Sequence, residues 1–505
     1  MAIQTRNSSL SVMVESTEGT PVAPSGATDY VALQDDFTMS PDFELLENAE
    51  LKASLGKSKS ITGAENPTAS FSHYLRHSGV EGTAPNYKEI LEAIFGTETV
   101  DASEEVTDSG STTSVIALTA NGSDHPRGSA LLIKDGTNGR SIRPVHSQSS
   151  ENLTLGFDIA NAPAAGVGVG KCVMYSPADS GHQTLSLWHY IGSSGAIEMM
   201  SGVRVTEMGL TFPAGELINA NYSFEGLKYY FNPIAVTSSD NKLDFTDDNG
   251  TFATSVTAQM YRDPHELAAA ITSAMNSIQT AETHSCIYVD STGKFTISTS
   301  TSAVLSILWK TGTSGADGTD EHIGTVIGFS DAADDTGSTS YVADTAQDWS
   351  TPYTPSVDDS DPLVAKANQF MIGDSDDTTC FQASEVSVTM SVPKTDIESV
   401  CADSGRSGSV PNERTVNVSV TALLEQHDVD KFRRYRANSD TRFCYIFGSK
   451  SGGEWVEGKC GCLYGPSATV TAFSIEDADG LVTLNIELET YVDADGNGEI
   501  YLDFV

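Results

Sequence analysis

One order of elements occurs twice in this chain, and that repetition constrains the fold more than any other feature. The first half reads strand ELKASL, a loop from Gly56 to Pro67, strand TASFSHYLR and helix NYKEILEAIF. Strand TLSLWHYIG and the hairpin VRVTEMGLTFPAGELINANYSFEG follow. The second half reads strand SEVSVTMS, a loop from Pro393 to Asn412, strand RTVNVSVTALLE and helix DVDKFRRYR. Strand RFCYIFG and the hairpin SATVTAFSIEDADGLVTLNIELETY complete it. Apolar residues alternate with polar ones, as at Leu51, Ala53 and Leu55, which is the period of a half-buried strand. Residue identity between the halves is low, so two unrelated antiparallel domains are the alternative reading. Two long strands, a short helix and a returning hairpin are the parts of a small β-sandwich or partly open barrel. Such a unit leaves strand edges to be covered, and repeating it suggests edge-to-edge neighbours and a ring.

Around this repeat the chain divides into four stretches. Residues 1–40 are rich in Ser, Thr and Pro and read as an extended arm. Residues 41–232 form the first repeat domain. It is interrupted at 97–180 by a small β insert, whose stretch SALLIKDGTNGRSIRPV is two strands about an Asn138-Gly139 turn. Residues 233–355 read as an inserted α+β domain. There Asp263 caps a helix, Pro264 takes its first position and Glu266 closes the box. Leu267, Ile271, Ala274 and Ile278 form its apolar stripe. Residues 356–505 are the second repeat domain. In the first, Asn86 is the expected cap of the short helix, with Glu89 at the capping-box position. Ile90, Ile94 and Phe95 are its apolar face, and Gly96 its stop.

The net charge of −41 argues against a grip on nucleic acid by bulk electrostatics and against docking on an anionic membrane. No stretch has the length of a membrane-spanning helix, and the N-terminal MAIQTRNSSLSVMVESTEG lacks the apolar core of a signal peptide. Assembly in a cytoplasm is the expectation. Seven cysteines, an odd number without a spacing framework, fit reduced thiols. Cys444, Cys460 and Cys462 are close in sequence, but C-x-C is not the spacing of a zinc pair.

No motif carries catalysis. GVGVGK at 166–171 lacks the gap and the Ser/Thr of a phosphate loop, since Cys172 follows Lys171. His73 and His77 share a strand face without a third ligand, and the remaining histidines are scattered. Asp493, Asp495 and Asn497 match early positions of a calcium loop, but Phe504 stands where its bidentate Glu belongs. A plain hairpin turn is the competing reading. Lys431, Arg433, Arg434, Arg436 and Arg442 are the one basic cluster, set against Glu89, Glu92 and Glu98 around the first repeat helix. A phosphate site is the sharp reading. Contacts between oppositely charged helices of neighbouring subunits are the other.

Several phrases resemble the tail tube proteins of long-tailed bacteriophages. LKASLGKSKSITGAENPTASFSHYLR with YKEILEAIFG is similar to the opening of that family's tube domain, and SGVRVTEMGLTFPAGELINANYSFEGLKYYF to its later hairpin. MIGDSDDTTCFQASEVSVTMSVP and NIELETYVDADGNGEIYLDF resemble the second half of a duplicated member. HELAAAITSAMNSI and IGFSDAADDTGSTSYVAD resemble a domain that recurs in phage structural proteins. The resemblance implies a mainly β fold: two tandem tail-tube-like β-sandwich or barrel domains, each with a short flanking helix, plus the two inserts. It implies a non-enzymatic virion protein, without cofactor, whose stacked rings form the conduit for DNA ejection. Homotrimeric, pseudo-sixfold rings are expected over hexamers. The implied partners are further copies, the tape measure and tail-tip proteins, and DNA passing an acidic lumen without sequence-specific binding. The alternative is a β-rich decoration, fibre or adhesion module.

Overall fold

The computed structural model describes residues 7–50, 56–101, 103–192, 195–300, 304–313, 321–357, 360–424, 429–478, 480–492 and 498–505. The protein is mainly β, with three α-helices among the described residues: Lys88–Phe95 (α1), Pro264–Ile278 (α2) and Val429–Ala437 (α3). It divides into two compact units. The smaller is built on Leu187–Met200 and Lys228–Thr354, the larger on Ser11–Ser186, Ser201–Leu227 and Pro355–Val505.

The larger unit is organised by one antiparallel ladder. Thr38–Ser40 pairs with Thr68–Tyr74, which pairs with Asn219–Glu225. That strand pairs with Arg204–Thr211, and Glu207–Pro213 pairs with Glu385–Ser391. Ala383–Ser391 continues to Thr415–Leu423, then to Leu481–Thr490, and last to Ala468–Ala478. Alternation decides what each face does. Phe71, Met208, Leu210, Phe212, Tyr222, Phe224, Val386, Val388, Val418, Val420, Ile486 and Leu488 are buried on one side. The other carries mostly Ser, Thr, Asn and Glu, with Tyr74, Leu423 and Leu481 among them.

A second sheet covers the apolar face. Its order is Gln369–Gly373, Thr441–Ser451, the Glu454–Ala468 part of the long strand Glu454–Ala478, Tyr501–Phe504, Val173–Pro177 and Gly96–Val100. Phe212 meets Tyr445 with ring centroids 4.4 Å apart and Phe447 at 5.5 Å, so the layers interlock through aromatic rings.

The two hairpins that recur in the sequence are alike in detail. Each carries one bulge, between Val205 and Glu207 in the first and between Val470 and Ala472 in the second. The extra residue is threonine both times. Thr206 Oγ1 donates to the Ser223 carbonyl at 3.2 Å and Thr471 Oγ1 to the Glu487 carbonyl at 3.3 Å. Each turn bends at a glycine with positive φ, Gly215 at 81° and Gly480 at 84°, where a Cβ would be strained.

Several local expectations require correction. Residues 9–40 are not a free arm. Ser9–Val14, Tyr30–Val31 and Thr38–Ser40 are strands, and Val12, Tyr30 and Val31 are buried. Glu15 N donates to the Thr184 carbonyl at 2.8 Å. Long-range pairing, which local pattern does not reveal, orders this Ser/Thr-rich stretch. The strand expected at Leu51–Leu55 lies outside the described residues; Thr38–Ser40 fills its place beside Thr68–Tyr74. Helix α1 starts after Tyr87, without a side-chain cap, so Asn86 is not the cap; Gly96 does end it, at φ 98°.

Within the expected 97–180 insert, Gly96–Val100 and Val173–Pro177 belong to the second sheet. A separate six-stranded sheet runs from Glu105–Val106 to Gly168–Val169. One of its faces encloses Ile116, Leu131, Ile133, Val145, Leu153 and Leu155. The other contributes Ala130, Leu132, Ile142 and Phe157 to a cluster with Met174, Cys444, Cys462 and Tyr464. The GVGVGK stretch is strand pairing here: Val169 sits opposite Glu105 and Ile133.

In the smaller unit, Asp263 Oδ1 accepts from Glu266 N at 2.9 Å, and Glu266 reaches back to Arg262 N at 2.6 Å. Pro264 stands at the start of α2 as expected. The buried stripe of α2 is Leu267, Ala268, Ile271 and Met275; Ile278 is 43% exposed. These residues cluster with Leu243, Phe245, Phe295 and Ile297 from small antiparallel sheets and with Trp309 from the turn after Leu305–Ile307.

Candidate assembly surface

Each sheet strand that opens a repeat is followed by a short projecting hairpin. Phe43–Leu46 pairs with Ile61–Glu65, and Lys394–Glu398 with Arg406–Pro411. The two hairpins stand side by side. Glu65 N donates to the Ser404 carbonyl at 3.1 Å, and Arg406 Nη1 donates to Asn66 Oδ1 at 3.1 Å. Arg406, buried at 5% exposure, also pairs with Asp396, which takes Lys394 as a second cation. Burial alone would raise the Asp396 carboxyl; the two cations outweigh it and hold it below the ordinary range. At the base, Arg204 donates to Ser409 Oγ at 2.6 Å and pairs with Glu18 at 3.1 Å.

Exposed apolar side chains lie along both hairpins. Leu45 is 70% exposed, Ile61 58%, Ile397 48% and Val400 fully. Phe43, Leu46 and Val410 are exposed as well. Aliphatic side chains left exposed on two adjoining hairpins make them a candidate contact surface.

The open face of the ladder is acidic. Glu207, Glu225, Glu385, Glu476, Glu487 and Glu489 lie on it. Arg204 is the single basic residue in these strand segments, and it is engaged with Glu18 and Ser409.

The charged helices differ more than the sequence suggests. Helix α1 buries Ile90, Leu91, Ala93, Ile94 and Phe95, leaving Glu89 and Glu92 half-buried. Burial pushes the Glu89 carboxyl up. Helix α3 buries no residue; Phe432 and Tyr435 pack on Phe473 while remaining over a third exposed. Its basic cluster is divided. Arg434 is held by Asp374 at 2.8 Å, Asp430 at 2.6 Å and Asp377 at 3.4 Å. The bond from Arg434 is the main reason that the Asp374 carboxyl lies below its ordinary range. Lys431 Nζ sits 5.9 Å from the Phe381 ring centroid, and Arg442 donates to the Gly156 carbonyl at 3.0 Å. Arg433 and Arg436 are exposed. Asp493, Asp495 and Asn497 lie outside the described residues.

His73 and His77 form no metal pair with each other. The His73 ring is buried between Tyr87, at 4.5 Å, and Tyr222, at 5.5 Å. One ring nitrogen bonds the Tyr74 carbonyl at 2.9 Å. All seven cysteines are free, with Cys380 and Cys401 exposed.

No protein-family model and no curated protein matches this sequence. Solved structures overlap parts of it. A chain of the virion of a native gene transfer agent particle shares 10% identity over 27% of this chain and 95% of its own, with a TM-score of 0.19. A chain of the anti-feeding prophage cap, which terminates that tube, shares 9% identity over 27% and 89%, at 0.21. A chain of the SPP1 tail tube shares 13% identity over 27% and 77%, at 0.18.

Proposed function

We propose that this chain is a structural subunit of a phage-type tail tube, with no catalytic role, and that its copies close into rings that stack. The observation that carries the reading is the joint between the two alike hairpins. Within one chain, Glu207–Pro213 of the first hairpin pairs with Glu385–Ser391, the strand that opens the second repeat. By the matching bulges, Ala472–Ala478 is the counterpart of Glu207–Pro213. By register against the next strand, Thr38–Ser40 is the counterpart of Ser387–Thr389. Among the described residues, those two strands end the ladder. The last strand of one copy can therefore make with the first strand of the next the same joint that the chain makes internally. Unpaired strand ends favour such addition.

Two wall units per chain favour a homotrimer with pseudo-sixfold symmetry over a hexamer, since heterologous contacts close only when the rotation per unit fits. The paired projecting hairpins, one per repeat, are suited to reach the next ring. The acidic open face is suited to line a lumen, where it repels DNA phosphates and lets the genome slide. Helix α1 with Glu89 and Glu92, and helix α3 with Arg433 and Arg436, are candidates for contacts between neighbouring subunits. Tape measure and tail-tip proteins are the further partners of such a tube, and the virion tail its location. The smaller unit is read as a decoration-like domain.

Electron microscopy of the purified full chain tests this. Rings or tubes with a central channel are expected. Isolated monomers at high protein concentration, or fibres without a channel, would overturn it in favour of the decoration or fibre reading.

A further inference from the structure

A buried trio of unlike side chains stands where the six-stranded sheet joins the main body of the larger unit. Asp101 directly follows Gly96–Val100, and Cys172 directly precedes Val173–Pro177. The Asp101 amide donates to the Cys172 carbonyl at 2.9 Å, closing the neck of the excursion. His125 comes from within the excursion, after the short 3₁₀ turn Gly122–Asp124. Asp101 and Cys172 are 2% exposed and His125 is fully buried. A carboxylate oxygen, a ring nitrogen and the thiol sulfur all lie within 4.8 Å of one another.

Their polar atoms lack the partners that burial demands. Asp101 Oδ1 accepts from Ser103 N at 3.1 Å, but Oδ2 makes no hydrogen bond, and neither does either nitrogen of His125. Burying such groups unbonded is costly. The Asp101 Oδ2 to His125 Nε2 distance is 3.5 Å. That is long for a hydrogen bond. It is close to the span, about 3.3–3.5 Å, between a nitrogen and an oxygen ligand on one tetrahedral zinc ion.

Two other groups of ligand-type residues are close together, and protein donors already serve them. Asp247 takes Gln279 and His284, and Asp374 takes Arg434.

We propose that Asp101, His125 and Cys172 bind one divalent cation of the zinc class, which fastens the six-stranded sheet to the main body of the larger unit at its neck. One carboxylate, one thiolate and a neutral imidazole match the borderline softness of zinc. Together with a divalent ion they form a cluster of zero net charge, the arrangement least costly to bury. Cys172 loses its proton to solvent when the ion enters. The site goes beyond the tube reading and does not depend on it.

The test uses the full chain produced in cobalt-supplemented medium, since cobalt reports its own ligands, followed by removal of loose metal with a chelator. One equivalent of cobalt per chain is expected, with a thiolate-to-cobalt absorption band in the near ultraviolet. Cys172→Ser should lose that band, and His125→Ala should lose most of the metal. Cys444→Ser with Cys462→Ser should keep both. A wild-type chain without retained metal, or with metal but no thiolate band, overturns the proposal even where a variant fails to fold. Retention of the band in Cys172→Ser overturns it as well.

Discussion

Replacing Leu45 and Ile397 by Asp should abolish stacking and leave the subunit folded. Leu45 is 70% exposed and Ile397 48%. Fully burying such a side chain contributes about 1.5–3 kcal/mol. The fraction still open at Leu45 leaves about 1–2 kcal/mol for a contact to supply, and Ile397 about 1 kcal/mol. In a trimeric ring each side chain acts once per subunit, so the pair is worth about 6–9 kcal/mol per ring-to-ring joint. That exceeds four powers of ten in the association constant. Stability of the subunit should move by less than about 1 kcal/mol per site, because both side chains are about half or more exposed within the chain. Sedimentation and negative-stain microscopy at matched concentration read the outcome as free rings in place of tubes. Tubes of unchanged length would refute the hairpins' role. Loss of rings together with tubes, from folded subunits, would move the hairpins to the contacts within a ring.

Other perturbations have defined directions. Burial lowers His73 from 6.5 to about 4, so protonation favours the unfolded chain. Its share of stability is complete above about pH 6.5 and falls by about 3 kcal/mol as pH drops through 4; urea unfolding of His73→Phe against wild type should show a flatter acid limb, and identical limbs would contradict this. Arg433→Glu with Arg436→Glu should leave the unfolding midpoint unchanged and weaken ring formation in a salt-dependent way; unaltered assembly would remove α3 from the interface. Asp263→Ala should cost the smaller unit about 1 kcal/mol by removing the α2 cap, read as a shifted unfolding transition; an unmoved transition would contradict the cap's role.

What the sequence discloses depends on how local the cause is. Asp263 with Pro264 and Glu266, and Gly96 at the end of α1, are decided within one turn of helix, and they stand where the pattern puts them. The twin hairpins were legible because alternation runs long in both. Their shared bulge was not, although the Val-Thr pairs at 205–206 and 470–471 were a signal, because a bulge exists only relative to its partner strand. Thr38–Ser40 is too short to announce itself and owes its place to Thr68–Ser70. The trio of Asp101, His125 and Cys172 has no spacing motif; the chain brings it together only by leaving and re-entering one sheet. The basic run of α3 read as one cluster, yet Arg434 is neutralised by Asp374, Asp377 and Asp430.

Cross-linking across the ends of the ladder tests the central claim most directly. Register by the internal joint sets Glu476 of one copy opposite Thr38 of the next, as Thr211 stands opposite Ser387 within the chain. In a single chain these positions lie at opposite ends of the ladder formed by the described residues. With Cys380 and Cys401 replaced by Ser to remove the exposed thiols, Thr38→Cys with Glu476→Cys should oxidise in assembled rings to a species that ends at the closed trimer on a denaturing gel. A product that remains monomeric in assembled material, or a ladder that runs on to six chains, would contradict the account.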